Sequence, residues 1–201
     1  MPSTALRPLF FVIRHGQTDW NRDRRYQGQT DVPLNDTGRD QARGNGRTLV
    51  AVGKDWREWD FVSSPLGRAR ETMSIMRTEL GLDEDGFRVD DRLMEIGFGE
   101  WERKLLSELT AEFPQEMALR NADKWNHTPP GGESYASLTD RVSAFLEELS
   151  EPTVIVCHGG IIRAIRFLYE NVSGQEIADA LVPQDDIYVF DGERSYWQGN
   201  T

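Results

Sequence analysis

The chain has 201 residues, 38% hydrophobic and 28% charged, which is enough apolar material for one folded domain over residues 1–201 and requires no second. A formal net charge of -11 argues against a broad nucleic-acid surface or an anionic membrane as partner, so local clusters of arginine stand out. One cysteine excludes an intramolecular disulfide framework, and three histidines (His15, His127, His158) leave little material for a transition-metal site.

Leu9 to Ile13 (LFFVI) is a continuous apolar run, as expected of a central strand covered on both faces, and it ends directly at Arg14-His15-Gly16. It is too short for a signal-peptide core, and no other stretch approaches a membrane span; with the single cysteine, this predicts a cytoplasmic protein. A weakly apolar helix follows through Ala42, Leu49, Val50 and Gly53. Asp60 to Ser63 reads as a second strand, followed by a helix whose Leu66, Ala69, Met73, Met76 and Leu80 form one buried face. From about 98 to 130 the character changes to mixed charge with scattered apolar residues, including Trp101 and Trp125, and a Pro-Pro-Gly-Gly break. This segment is expected to be a partly helical insertion able to cover a site. Tyr135, Leu138, Val142, Leu146 and Leu149 predict another helix, Thr153 to Cys157 a strand, and Ile161, Ile165 and Leu168 a helix opened by Gly159-Gly160. Asp186 to Phe190 is the expected last strand.

Alternating strands and helices imply an α/β three-layer sandwich, with a mostly parallel central sheet and helices on both faces. Ligands of such sheets sit outside the carboxyl ends of the strands, where Arg14, His15, Arg68 and His158 fall.

The string RHGQTDWN, Arg14 to Asn21, outlines an anion pocket. An arginine fork binds phosphate, a glycine lets the backbone approach, and Thr18 and Asn21 add neutral donors. His15 is then the natural nucleophile, because a neutral imidazole attacks phosphorus without first losing a strongly held proton. Arg68, off the apolar face of its helix, is compatible with a solvated residue, but its place at a strand's carboxyl edge points to function. His158 could simply close a strand, yet Gly159 and Gly160 open a helix with backbone N–H groups suited to an anion.

FFVIRHGQTDWN resembles the N-terminal signature of the histidine phosphatase superfamily, which includes cofactor-dependent phosphoglycerate mutases and many phosphatases. The resemblance continues through RYQGQTDVPLNDTGRDQA, SSPLGRARET, LMEIGFGEWE, GGES and VCHGG, nearly the whole chain. It implies that Gln27 and Gly28 belong to the substrate pocket, that Arg68 is a second phosphate-clamping arginine, that Glu95 is the acid/base residue and that His158 is the second pocket histidine. The implied mechanism has His15 attack the phosphoryl group, Glu95 protonate the leaving oxygen and then activate water, and Arg14, Arg68, Asn21 and His158 stabilise the equatorial oxygens. No metal and no cofactor are implied.

A competing reading takes Cys157, Gly160 and Arg163 as C-x-x-G-x-x-R, a thiolate phosphatase loop. Val156 and Ala164 stand where such loops commonly have a histidine and a hydroxyl residue, so Cys157 reads better as a small residue ending a strand. Arg163 is left without a role.

The mutases of this superfamily typically continue from their glutamate as Glu-Arg-x-Tyr-Gly and hold the substrate carboxylate with basic residues of a longer insertion. Here Glu95 is followed by Ile96-Gly97-Phe98-Gly99, and Arg103, Lys104, Arg120 and Lys124 are interspersed with acids. The expectation is therefore a metal-independent phosphomonoester hydrolase acting on a small phosphorylated metabolite, with the mutase as alternative and a non-catalytic phospho-ligand binder as the reading of another class. Phe98, Trp101 and Trp125 are candidates for an aromatic mouth. Arg103 stands where phosphatases of this type often have glycine, which raises the question of that loop's shape.

Overall fold

A computed structural model describes residues 8–199. Six strands form one sheet in the order β3-β2-β4-β1-β5-β6: β1 (Phe10–Arg14), β2 (Asp60–Ser63), β3 (Arg88–Val89), β4 (Thr153–Cys157), β5 (Asp186–Phe190) and β6 (Ser195–Gly199). The first four in chain order run parallel, and β5 and β6 add an antiparallel edge beside β1.

The apolar run of β1 is uninterrupted because both of its faces are covered. Phe10 and Val12 face one core, together with Ile155 and Cys157 of β4. Phe11 and Ile13 face the other, with Val154 and Val156. Helices α6 (Tyr135–Glu147), α7 (Gly159–Tyr169) and α8 (Gly174–Asp179) close the first face. The second is closed by α2 (Asp36–Val52) and α3 (Gly67–Glu79), so the three layers predicted from strand and helix alternation are present. Between Thr18 and Asp23 lies α1 (Asp19–Arg22), a single turn whose N-cap is Thr18.

Two side chains depart from the expected faces. Val50 is 51% exposed, since its neighbour Leu49 takes the core and successive helical residues point about 100° apart. Leu168 is 37% exposed although it continues the stripe of Ile161 and Ile165, for it stands in the last turn of α7, which ends at Tyr169. Asp186–Phe190 is not the last strand either: β6 follows it, a polar, half-exposed edge whose Trp197 packs against Tyr188.

The 98–130 segment folds into α4 (Leu106–Glu112) and α5 (Pro114–Ala122), around its own small core of Trp101, Leu109 and Met117. Tyr26 and Phe98 pack against that core, which ties the segment to the loop after β1. Arg103 adopts a left-handed backbone with φ 72°, the conformation for which glycine is the ordinary choice. The loop has thus kept the glycine-type shape, held by the Arg103 N–H donating to the Tyr26 carbonyl (2.8 Å) and by the Arg25 guanidinium donating to the Arg103 carbonyl.

Candidate active site

Parallel strands bring their carboxyl ends to one edge of the sheet, and here that edge gathers His15, Ser64 and His158. The His15 amide donates to the Cys157 carbonyl (2.9 Å) and the Ser64 amide to the Val156 carbonyl (2.9 Å), so three turns are locked in register. The rings of His15 and His158 lie 5.1 Å apart.

His15 Nδ1 lies 2.7 Å from the Gly16 carbonyl, which can only accept, so Nδ1 carries the proton and Nε2 keeps its lone pair. The ring is 2% exposed; burial, then the charges of Arg68 and Arg14, push its pKa well below the usual imidazole range. The ring is therefore neutral, with the unprotonated nitrogen at Nε2. His158 caps α7 and is fully buried behind it, with Nε2 2.7 Å from the Ser64 hydroxyl and Nδ1 without a partner among the described residues. Burial, then the charge of Arg68, likewise holds His158 neutral.

Two guanidiniums flank His15. Arg14 donates through Nη1 to the Val182 carbonyl (2.7 Å), and burial lowers its pKa to about 10. Arg68 is only 1% exposed, contrary to the solvated reading of a first-turn arginine. Its Nη2 donates to the Gly28 carbonyl (2.7 Å), its Nη1 to the Thr30 carbonyl (2.8 Å), and burial brings its pKa to about 10. The Gln27 amide, with its oxygen toward Arg68 Nε (2.7 Å) and its nitrogen toward the Thr18 hydroxyl (2.6 Å), completes this cradle. Gly28 has φ 54°, and a Cβ there would overlap the Glu102 carboxylate, so the approach requires glycine.

Glu95 accepts from the Gly160 amide (3.0 Å) and the Ile96 amide (2.9 Å), at the N-terminus of α7 and facing the two arginines. Its place depends on Gly160, where a Cβ would overlap Glu95 Oε1. Asn21 accepts at Oδ1 from the Thr18 amide (3.2 Å) and from Gln184 Nε2 (3.2 Å), which leaves its NH₂ group for the cavity.

A cavity of about 270 Å³ opens over these groups. Arg14, His15, Asn21, Gln27, Gly28, Arg68, Glu95 and Gly159 line it. Thr18 and His158 do not. The Thr18 hydroxyl is committed to the α1 cap and to Gln27, and His158 stands one layer back.

Three residues were not legible as parts of this site. Gln184 donates to the His15 carbonyl (3.0 Å) as well as to Asn21, from the loop before β5. Glu102 accepts from the amides of Gln29 (2.9 Å), Thr30 (3.0 Å) and Phe98 (3.2 Å) and from the Thr30 hydroxyl (2.6 Å), fixing the loop whose carbonyls hold Arg68. Arg163, without a role in the sequence, lines the cavity.

The basic residues of the 98–130 segment require a correction. Arg120 and Lys124 are not dispersed among acids in space: both reach the cavity wall, as do Arg24 and Arg25. Among the aromatic candidates Phe98 lines the cavity, whereas Trp101 is fully buried against His127 and Trp125 packs against Tyr135 and Phe167. Cys157 is fully buried and faces the core, and burial raises its thiol well above the usual range. The thiolate loop has no geometric basis.

Residues 10–200 match the sequence profile of the histidine phosphatase superfamily (branch 1). The chain is 32% identical over 192 residues to phosphoglycerate mutase-like protein 4 of Arabidopsis thaliana, covering 91% of this chain and 80% of that one. It is 34% identical over 163 residues to the uncharacterized phosphatase PhoE of Bacillus subtilis (strain 168), covering 77% of this chain and 73% of that one. Among solved structures, a mycobacterial glucosyl-3-phosphoglycerate phosphatase superposes with a TM-score of 0.77 at 27% identity, over 96% of this chain and 97% of that one. The pocket described above and these matches agree, and the chain belongs to the histidine phosphatase superfamily.

Proposed function

We propose that the protein is a metal-independent phosphomonoester hydrolase that works through a phosphohistidine on His15. The observation that carries this reading is the His15 tautomer: Nδ1–H is tied to the Gly16 carbonyl, and the Nε2 lone pair stands between two guanidiniums in a cavity. In the first step Nε2 forms a bond to phosphorus, the P–O ester bond breaks, and the Glu95 carboxyl group gives its proton to the leaving alkoxide. In the second, the Glu95 carboxylate takes a proton from water, the resulting hydroxide attacks phosphorus, and the N–P bond breaks to release phosphate and neutral His15. Arg14, Arg68, the Asn21 amide and the N-terminal turn of α7 at Gly159 meet the charge that develops on the equatorial oxygens, the task a divalent cation performs in other phosphoryl-transfer sites. His158 steadies His15 from behind, and the 98–130 segment acts as a lid.

One observation favours the mutase as a second reading: Arg120 and Lys124 of that segment reach the cavity, where a substrate carboxylate could meet them. Phosphate release from a panel of phosphomonoesters in excess EDTA, run beside a 3-phosphoglycerate to 2-phosphoglycerate assay primed with bisphosphoglycerate, separates the two. Release that EDTA does not reduce supports the hydrolase. Isomerisation without net release refutes it.

A further inference from the structure

Glu133 follows the Pro-Pro-Gly-Gly break, stands outside the cavity and meets no reacting atom. Its carboxylate grips the Arg141 guanidinium at two points: Nε donates to Oε1 (2.9 Å) and Nη2 to Oε2 (2.9 Å), with both side chains mostly buried. Arg141, on α6, turns its other N–H groups to main-chain carbonyls on either side of Met94: Nη1 donates to the Arg92 carbonyl (2.5 Å) and Nη2 to the Glu95 carbonyl (3.3 Å). The same Glu95 carbonyl accepts from Gln29 Nε2 (3.1 Å). Further along, the Glu133 amide donates to the Gly97 carbonyl (2.8 Å), and the Glu100 amide to the Pro130 carbonyl (3.0 Å). The main chain that carries Glu95 is thus pinned from residue 92 to residue 100 by groups outside the cavity.

Such pinning matters because this stretch has little regular structure of its own. One tight turn at Asp91–Leu93 precedes Met94 and Glu95, and neither residue belongs to a helix or a strand. The Glu95 carboxylate rests on the Gly160 and Ile96 amides, and the Ile96 amide shifts with the segment itself. Proton transfer needs the carboxyl group within hydrogen-bond reach of the leaving oxygen, and a misplacement of about 1 Å costs on the order of hundredfold in rate. A loose surface ion pair could not supply that precision. A planar guanidinium held at two points on a carboxylate cannot rotate, so the direction of its remaining N–H groups is fixed, and a lysine ammonium could not reproduce the fork.

We propose that Glu133 and Arg141 are positioning residues for the acid/base chemistry: the pair fixes the main chain at Arg92 and Glu95 and thereby aims the Glu95 carboxyl group at the leaving oxygen. The proposal rests on the phosphomonoesterase reading, in which Glu95 is the acid. A pair that acts through Glu95 affects the expulsion of leaving groups that need a proton and spares those that do not. A pair that only stabilises the fold affects every ester alike.

Two esters of similar size separate these roles: benzyl phosphate, whose alkoxide leaves only with a proton, and 2,4-dinitrophenyl phosphate, whose phenolate leaves without one. Their kcat/KM values cover the transfer to His15, the step in which the leaving oxygen is protonated. In Glu133→Gln and in Arg141→Lys, kcat/KM should fall about tenfold to hundredfold on benzyl phosphate and less than about threefold on the dinitrophenyl ester, the pattern that Glu95→Gln shows more strongly. Adding Arg141→Lys to Glu95→Gln should cost nothing further on benzyl phosphate. Activity on the dinitrophenyl ester reports that each variant is folded. Hydrogen exchange at the Gly160 and Ile96 amides, the donors to the Glu95 carboxylate, reads its seat without turnover and should quicken about tenfold in both variants. Equal losses on the two esters, no loss on benzyl phosphate, or a loss that persists without Glu95 overturns the proposal. If the wild type releases phosphate from no ester, the hydrolase reading is overturned, and unchanged exchange at the two amides would separately overturn the positioning.

Discussion

Replacing Glu102 by glutamine tests how the cradle of Arg68 is built. The carboxylate accepts four hydrogen bonds, two at each oxygen: Gln29 N–H and Phe98 N–H at Oε1, Thr30 N–H and the Thr30 hydroxyl at Oε2. An amide has one oxygen, so its NH₂ group must face at least one backbone N–H, two donors with nothing between them. Hydrogen bonds to a charged group contribute about 1.5–3 kcal/mol each, and an unsatisfied donor costs about 1–3 kcal/mol. With the partial exposure of this site discounted, the loss is about 2–4 kcal/mol, or roughly 5–15 °C in Tm for a chain of this size. The carbonyls of Gly28 and Thr30 that orient Arg68 move with the loop. Activity toward a generic aryl phosphate should therefore fall about tenfold in kcat/KM. Differential scanning fluorimetry and steady-state kinetics on the variant provide both numbers. A Tm within about 2 °C of the wild type, with unchanged kcat/KM, would refute the claim that Glu102 holds this loop.

Other expectations follow from the same geometry. Gly160→Ala pushes the Glu95 carboxylate from its seat and should lower kcat about tenfold or more, whereas Gly159→Ala, whose methyl meets only ordinary contacts, should cost far less; equal losses would contradict the placement of Glu95. Cys157→Ala should keep kcat/KM within about threefold, and the buried neutral thiol should resist iodoacetamide at neutral pH; inactivation by either would restore the thiolate loop. His15 and His158 are held neutral, with pKa values below that of the unfolded chain, about 6.5. The unfolded state therefore binds more protons below that pH, and stability falls by up to about 1.4 kcal/mol per pH unit per histidine as acid is added. The urea midpoint should drop between pH 7 and pH 5 and drop less in His158→Gln; a flat midpoint would mean that neither ring is protected from protonation.

Legibility in the sequence followed the range of the forces involved. Strands β1 and β4 were readable because burial on both faces demands an unbroken apolar run, and Gly159-Gly160 announced α7. Strand β6 was not, since an edge with one half-exposed face tolerates Ser195, Gln198 and Gly199. The burial of Arg68 was also invisible: its partners Gly28 and Thr30 come from about forty residues away. Thr18 looked like a pocket donor because a capping threonine and a ligand-binding threonine have the same neighbours in sequence. Arg120 and Lys124 were not legible as neighbours, because α5 ends at Ala122 and Lys124 reaches the cavity wall from the turn that follows, and the acids around them in sequence obscured both.

The central claim is the phosphohistidine, and trapping it is the most direct measurement. Wild-type protein is mixed with a radiolabelled phosphomonoester in EDTA, denatured within the turnover time and divided between acid and alkali. The account predicts label that alkali preserves and acid releases, present in Cys157→Ala and absent from His15→Ala. Acid-stable label, or label that persists in His15→Ala, would contradict it.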